Sequence, residues 1–176
     1  MRIEPATLHD VQAAVDAYAY ARTVQLAHGS AAWLGFDATA IRQLVDAGQL
    51  FCAREADEVM AVFVVLEQDP AIWDDADADR YLYLHRVARA EACHTPGVFA
   101  LVMEWMRSRC VELGRFGVRI DTWSDNEGLL SYYERFGFRL VGARTMPVDP
   151  HLPPHYHGIE LALLEQRVTD TSVPPR

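Results

Sequence analysis

Cysteine is sparse in this chain: Cys52, Cys93 and Cys110 are the only three in 176 residues. An odd number argues against a closed disulfide framework, and the spacing lacks the pairing of a thiolate metal site. Reduced thiols of a cytoplasmic protein are therefore expected. Long apolar runs are also missing. No stretch approaches the roughly 20 residues that a membrane-spanning helix needs, and the opening segment MRIEPATLHD is charged at once, without the apolar centre of a signal peptide. Neither secretion nor membrane insertion is expected. Positive charge is in deficit, with 16 basic against 25 acidic side chains, a net charge of −9 and a pI near 5.1. Such a surface opposes broad neutralisation of phosphates, so nucleic acid is not an expected partner, and a small cationic molecule suits it better. No internal period marks a repeat.

What is present is ordinary globular material, 51% hydrophobic and 23% charged, which suffices for one domain with its own core. That domain is expected over residues 1–166, with RVTDTSVPPR, residues 167–176, as a disordered tail. Residues 2–6 read as a short strand. Thr7 and Asp10 then stand as in a helix-opening box, and Val11, Ala14, Val15 and Tyr18 begin the apolar stripe of a first helix. A second helix over about residues 37–47 stops at Gly48. Residues 50–54 and 59–67 form a hairpin around a polar turn, and the latter run, VMAVFVVLE, is so apolar that it reads as a central strand covered on both faces. After a loop over residues 68–80, a strand over 81–87 leads to a long helix over 97–113. A Pro- and His-rich loop, residues 146–157, precedes a last strand over 158–164. The order β-α-α-β-β-β-α-β-α-β-β predicts an α/β domain whose mixed central β-sheet carries helices on both faces.

The stretch richest in chemistry is VRIDTWSDNEGLLSYYERFGFRLV, residues 118–141. Val118 and Ile120 alternate with Arg119 and Asp121 at the period of a strand. Ser124, Asp125 and Asn126 supply turn and capping groups, and Leu129, Leu130, Tyr133 and Phe136 recur at helical spacing. Gly137 stops that helix, and Phe138, Leu140 and Val141 resume an extended pattern. This order resembles the closing half of the GCN5-related N-acetyltransferase (GNAT) fold, and the element order follows that family over nearly the whole chain. The resemblance implies an enzyme that moves an acetyl group from acetyl-CoA, its acyl-donor substrate, to a primary amine, with a small molecule as the expected acceptor. A homodimer is compatible with it.

Residue roles follow from the resemblance, position by position. An Asn that opens the helix and a Tyr four residues before a Gly-Phe pair flank the acyl-CoA thiol in the family; here these are Asn126, Tyr133, Gly137 and Phe138. Tyr133 is the expected general acid, since a neutral phenol has a proton to give. Backbone groups around Val87 and Arg89 would hold the pantetheine as an added strand. The family's pyrophosphate loop falls on His94, Thr95, Gly97, Val98 and Phe99, with Ala100 adding an amide at the helix start. Here the sequence departs from the pattern: Phe99 replaces a small residue, and Pro96 lacks an N–H. That departure keeps open a catalytically inactive GNAT-fold binding module, and loop variation keeps open a protein N-acetyltransferase. The strand over 81–87 offers no Glu as general base; the candidates are His85, able to accept a proton near neutral pH, and Asp121.

Further clusters carry weaker signals. His151, His155 and His157 are broken by prolines and lack helical spacing, so a solvated or substrate-facing loop is expected and no metal. Asp74, Asp75, Asp77 and Asp79 read as a solvated acidic loop, with attraction of a polyamine-like cation as the alternative. Trp33, Phe36 and Trp73 read as anchors of the core or as walls of an apolar acceptor pocket.

Overall fold

The computed structural model describes residues 1–29, 32–73, 80–149 and 156–168. Its elements are β1 (Arg2–Pro5), α1 (Val11–Ala27), α2 (Ala38–Asp46), β2 (Leu50–Glu55), β3 (Glu58–Leu66), β4 (Tyr81–Arg89), α3 (Val98–Glu112), β5 (Gly117–Trp123), α4 (Glu127–Glu134), β6 (Arg139–Thr145) and β7 (Glu160–Arg167), with a 3-10 turn at Leu8–Asp10. The seven strands form one sheet in the order β1-β2-β3-β4-β5-β7-β6. All neighbouring pairs are antiparallel except β4 and β5. The mixed sheet and the element order expected from the sequence are both present.

Strand β3 shows why helices flank both faces. Val62 and Val64 join Ala14, Ala17, Tyr18 and Ile41 of α1 and α2 in one core, whereas Phe63 and Val65 join Val102, Met103, Met106 and Cys110 of α3 in the other. Alternate residues of a strand point to opposite faces, so an unbroken apolar run needs two covers. At the start of α1, the Asp10 carboxylate accepts from the Thr7 N–H at 2.7 Å and from its hydroxyl at 2.8 Å, and it pairs with Arg54 of β2. The expected opening box is thus tied to the sheet. The three cysteines are free and buried.

The chain's end departs from expectation. β7 extends to Arg167, and the Val168 N–H bonds the Phe116 carbonyl at 2.9 Å, because these residues still have β5 as a partner. Residues assigned to the tail therefore begin within the sheet; 169–176 lie outside the described residues. So do Asp74, Asp75, Asp77, Asp79, His151 and His155. Among the described residues, no helix is long and apolar enough to cross a membrane.

Two irregularities of β4 position the site. Its parallel pairing with β5 lasts for three positions only, Tyr81 with Gly117, Leu82 with Val118 and Tyr83 with Arg119. On its other edge the register with β3 jumps from Val64–His85 to Val62–Ala88, so Arg86 and Val87 together oppose the single residue Phe63. That is a β-bulge, and Arg86 adopts φ +56°, a left-handed conformation unusual for a residue with a side chain. The bulge bends β4 away from β5 and opens a cleft between them.

Candidate active site

The cleft is lined on β4 by Leu84, His85, Arg86 and Val87 and on β5 by Asp121, Thr122 and Trp123. Phe99 of α3 and Tyr133 of α4 approach from one face of the sheet, Trp33 and Tyr156 from loops. His85 and Asp121 belong to the opposite face from Tyr133: the same-side neighbours Tyr81 and Tyr83 pack with Trp73, whereas Tyr133 packs on the α3 core. A continuous sheet would keep these groups apart. They share a cleft because the strands part beyond Tyr83 and Arg119.

At the floor of the cleft, His85 lies between two acids. Its Nδ1 is 3.2 Å from Asp121 Oδ1, its Nε2 is 3.2 Å from Asp69 Oδ2, and all three side chains are buried. The contacts are oblique, and both charge attraction and hydrogen bonding from the two acids act on the ring. Burial alone would strip the proton from the imidazole, yet the Asp121 and Asp69 carboxylates override it and push His85 up to about 9. This corrects the expectation of a histidine that accepts a proton near neutral pH. The sequence held no sign of Asp69, which lies in the loop after β3. The ligand atoms of Asp69, His85 and Asp121 converge within 4.8 Å, as a metal site would require. Both ring nitrogens already face a carboxylate, however, which is the arrangement of an imidazolium held by two acids.

Tyr133 sits where the helical spacing predicted. Burial, the Asp121 carboxylate and Tyr132 all raise its phenol above the ordinary range, so it stays neutral. Asn126 caps α4, its Oδ1 accepting from the Leu129 N–H at 3.0 Å. It opens not on the cleft with Tyr133 but on an adjoining polar hollow shared with Trp123, Ser124 and His28. Gly137, at φ +83°, ends the helix, and Gln166 of β7 donates to the Phe136 carbonyl there. Of the aromatic candidates, Trp33 lines the cleft. Phe36 stacks on Tyr18 with ring centroids 4.4 Å apart, and Trp73 is buried under the Arg119 guanidinium at 4.6 Å. Tyr156 is a cleft residue missed in the sequence, hidden in the Pro- and His-rich stretch; burial, then Asp121, raises its phenol too. His157 does not line the cleft.

The loop expected to hold pyrophosphate has free donors. Gly97 adopts φ +76° ahead of α3, with open space where a Cβ would stand, and no side chain caps the helix. The first bond of that helix is made by the Leu101 N–H to the Gly97 carbonyl at 3.1 Å. The amides of Val98, Phe99 and Ala100 therefore lack hydrogen-bond partners among the described residues, as helix starts do. Phe99 does not close this end: its ring packs edge-on against Phe136 at 4.8 Å and against Tyr132 and Tyr133 at 5.5 Å. His94 is exposed, and the Thr95 hydroxyl lies 3.5 Å from the Glu55 carboxylate. Along the opening, the Ala90 N–H bonds Met60 of β3 at 2.8 Å. Because alternate residues of a ladder face the same neighbour, the Arg89 N–H points to the side that β5 has left. Val87 lines the cleft.

A sheet split between its fourth and fifth strands, with an uncapped helix start at one end of the split and Tyr133 on its wall, is the architecture of the GNAT fold. Comparison with known proteins agrees. The chain is 28% identical over 123 residues to the uncharacterised N-acetyltransferase YesJ of Bacillus subtilis (strain 168), covering 65% of this chain and 68% of that one. Its structure resembles a GNAT-family acetyltransferase from Listeria monocytogenes with a TM-score of 0.71 at 21% identity, over 93% of this chain and 94% of the other. It also resembles YncA of Salmonella typhimurium, described as an acetyltransferase and solved with its cofactor acetyl-CoA, with a TM-score of 0.66 at 14% identity over 99% and 98% of the two chains. No protein-family model matches. The chain has the GNAT fold, as its sequence resemblance implied, and is similar in sequence to an N-acetyltransferase.

Proposed function

We propose that the protein is an N-acetyltransferase that moves the acetyl group of acetyl-CoA to the primary amine of a small molecule. The observation that carries this reading is the cleft between β4 and β5, which brings Tyr133 and the Asp121–His85 pair together from opposite faces of the sheet. Its donor end fits the cofactor: the unpartnered amides of residues 98–100 and the positive end of the α3 dipole suit a pyrophosphate. The cleft wall of Val87, Phe99, Leu129 and Tyr133 is apolar apart from the Tyr133 hydroxyl, which suits a thioester.

In the transfer, the amine nitrogen bonds to the thioester carbonyl carbon and the carbon–sulfur bond breaks. Tyr133 gives its proton to the departing thiolate. His85 already holds a proton at neutral pH, so the amine proton passes to the Asp121 carboxylate and returns through solvent to the Tyr133 oxygen. The acceptor enters from the side of Trp33 and Tyr156, whose rings supply an apolar wall beside the Asp121 carboxylate, a setting that draws in an ammonium before it is neutralised.

Calorimetry with acetyl-CoA, followed by a screen of amines for free-thiol release, tests the reading. Saturable binding and thiol release with at least one small amine are expected. Absence of acetyl-CoA binding at millimolar concentration would overturn it in favour of a non-catalytic binding module.

A further inference from the structure

We propose that Asp69 is a positioning residue of this site: from the side away from the cleft it fixes the ring of His85, so that Nδ1 is presented to Asp121 and the second oxygen of Asp121 is left for the acceptor amine. Its catalytic meaning rests on the acetyl-transfer reading, whereas its effect on His85 does not.

Four observations place Asp69 in this role. It reaches His85 Nε2 at 3.2 Å, while Asp121 takes the opposite nitrogen at the same distance, so the two acids fix the ring against rotation. Asp69 does not line the cleft that holds Tyr133. It lines a separate cavity with Leu44, Val64, Leu66 and Ile72, and His85, Arg86 and Tyr156 border both spaces. Asp121 is part of the cleft wall, and Asp69 is not. The backbone of Asp69 is locked, its carbonyl accepting from the Trp73 N–H at 2.8 Å and the Ile72 N–H at 3.3 Å. That turn is pinned in turn by the Arg144 guanidinium, which donates to the Ile72 carbonyl at 2.8 Å.

Among the described residues, several elements supply the groups that set the electrostatics around His85. Asp69 comes from the loop after β3, Asp121 from β5, and Tyr156 from the segment before β7, where the Arg86 guanidinium meets its hydroxyl. Tyr133 of α4 acts on the setting through Asp121. A purely structural ion pair buried this deeply is often no better than an apolar pair of the same volume. A charge pair that also sets the orientation and charge of His85 supplies a reason for its presence.

The test is a titration of the His85 ring by NMR in the whole protein, alongside steady-state kinetics with the acceptor found by the amine screen. In the wild type, both ring nitrogens are expected to carry protons at pH 7, and the midpoint to lie near 9. In Asp69→Asn the midpoint is expected to fall by about one unit or more, and kcat by roughly tenfold. KM for acetyl-CoA should stay within about twofold of wild type, because Asp69 does not reach the donor end. Asp69→Glu should recover part of both losses. A wild-type ring that is neutral at pH 7, or an Asp69→Asn protein with the wild-type midpoint and kcat, would overturn the proposal, and the first of these needs no variant to fold. A wild type that binds no acetyl-CoA refutes the acetyl-transfer reading instead, and the titration then decides for or against the coupling of Asp69 to His85.

Discussion

Tyr133 keeps its proton because burial and the Asp121 carboxylate both oppose a phenolate. In the proposed transfer that proton goes to the departing thiolate, so the hydroxyl, not the ring, is the part that acts. Tyr133→Phe keeps the ring that packs on Phe99 and Phe138, so its melting temperature should change little. Its kcat should drop by about 10²-fold or more, the usual contribution of a positioned acid, with KM for acetyl-CoA nearly unchanged. Free-thiol release at saturating acceptor checks the first outcome; full activity in the variant would move the acid role elsewhere. Tyr133 was legible in the sequence because its distance from Gly137 and Phe138 is set by one helix and its stop. Asp69 was not. It stands 16 residues before His85, by difference of their positions, in a loop whose further acids disguise it. No periodicity links a loop residue to the strand residue it touches.

The elements themselves were read well where one physical rule controls them. Alternation gave β3 its two covers, and the Asn126 cap and the Gly137 stop bounded α4. The bulge in β4 has no local sequence signal, because LYLHRVAR contains no glycine or proline. A left-handed residue with a side chain is an outcome of tertiary packing: Arg86 is held there with its guanidinium 5.0 Å above the Phe36 ring. Phe99 is the converse case. From sequence it read as an obstacle to pyrophosphate, whereas its ring belongs to the seam that joins α3 to α4. Phe99→Ala should therefore weaken the fold without improving the cofactor site. Removing a fully buried phenylalanine costs about 3–5 kcal/mol, and this half-exposed ring should cost roughly half of that. Chemical denaturation beside acetyl-CoA calorimetry decides: a variant of unchanged stability that binds the cofactor more tightly would restore the ring to the role of a barrier.

The whole molecule titrates on two sides, and the groups responsible differ. On the acid side, Asp10 and Glu165 each face an opposing cost of burial, but the hydrogen bonds from Arg54 and Thr7 to the first, and from Arg167, Tyr81 and Arg119 to the second, leave both carboxyls below their ordinary values of 3.8 and 4.5. Their contribution is present above those values and is lost as pH falls through the folded ones. On the alkaline side His85 works in the reverse sense. Its value rises from 6.5 to about 9 on folding, so its contribution is full below pH 6.5 and disappears as pH climbs to about 9. Beyond that a second loss begins, because burial pushes Cys52 up to about 12 and Cys110 to about 11 from an ordinary 9.0, and the unfolded thiols ionise first. Stability should thus be greatest between about pH 4.5 and 6.5. It should decline by a few kcal/mol up to pH 9, and then decline again. Urea denaturation across this range measures the curve, and His85→Gln separates its causes. The variant should be flat between pH 6.5 and 9 while keeping the later thiol loss; a decline as steep as in the wild type would show that the imidazolium between Asp69 and Asp121 is not the group that titrates.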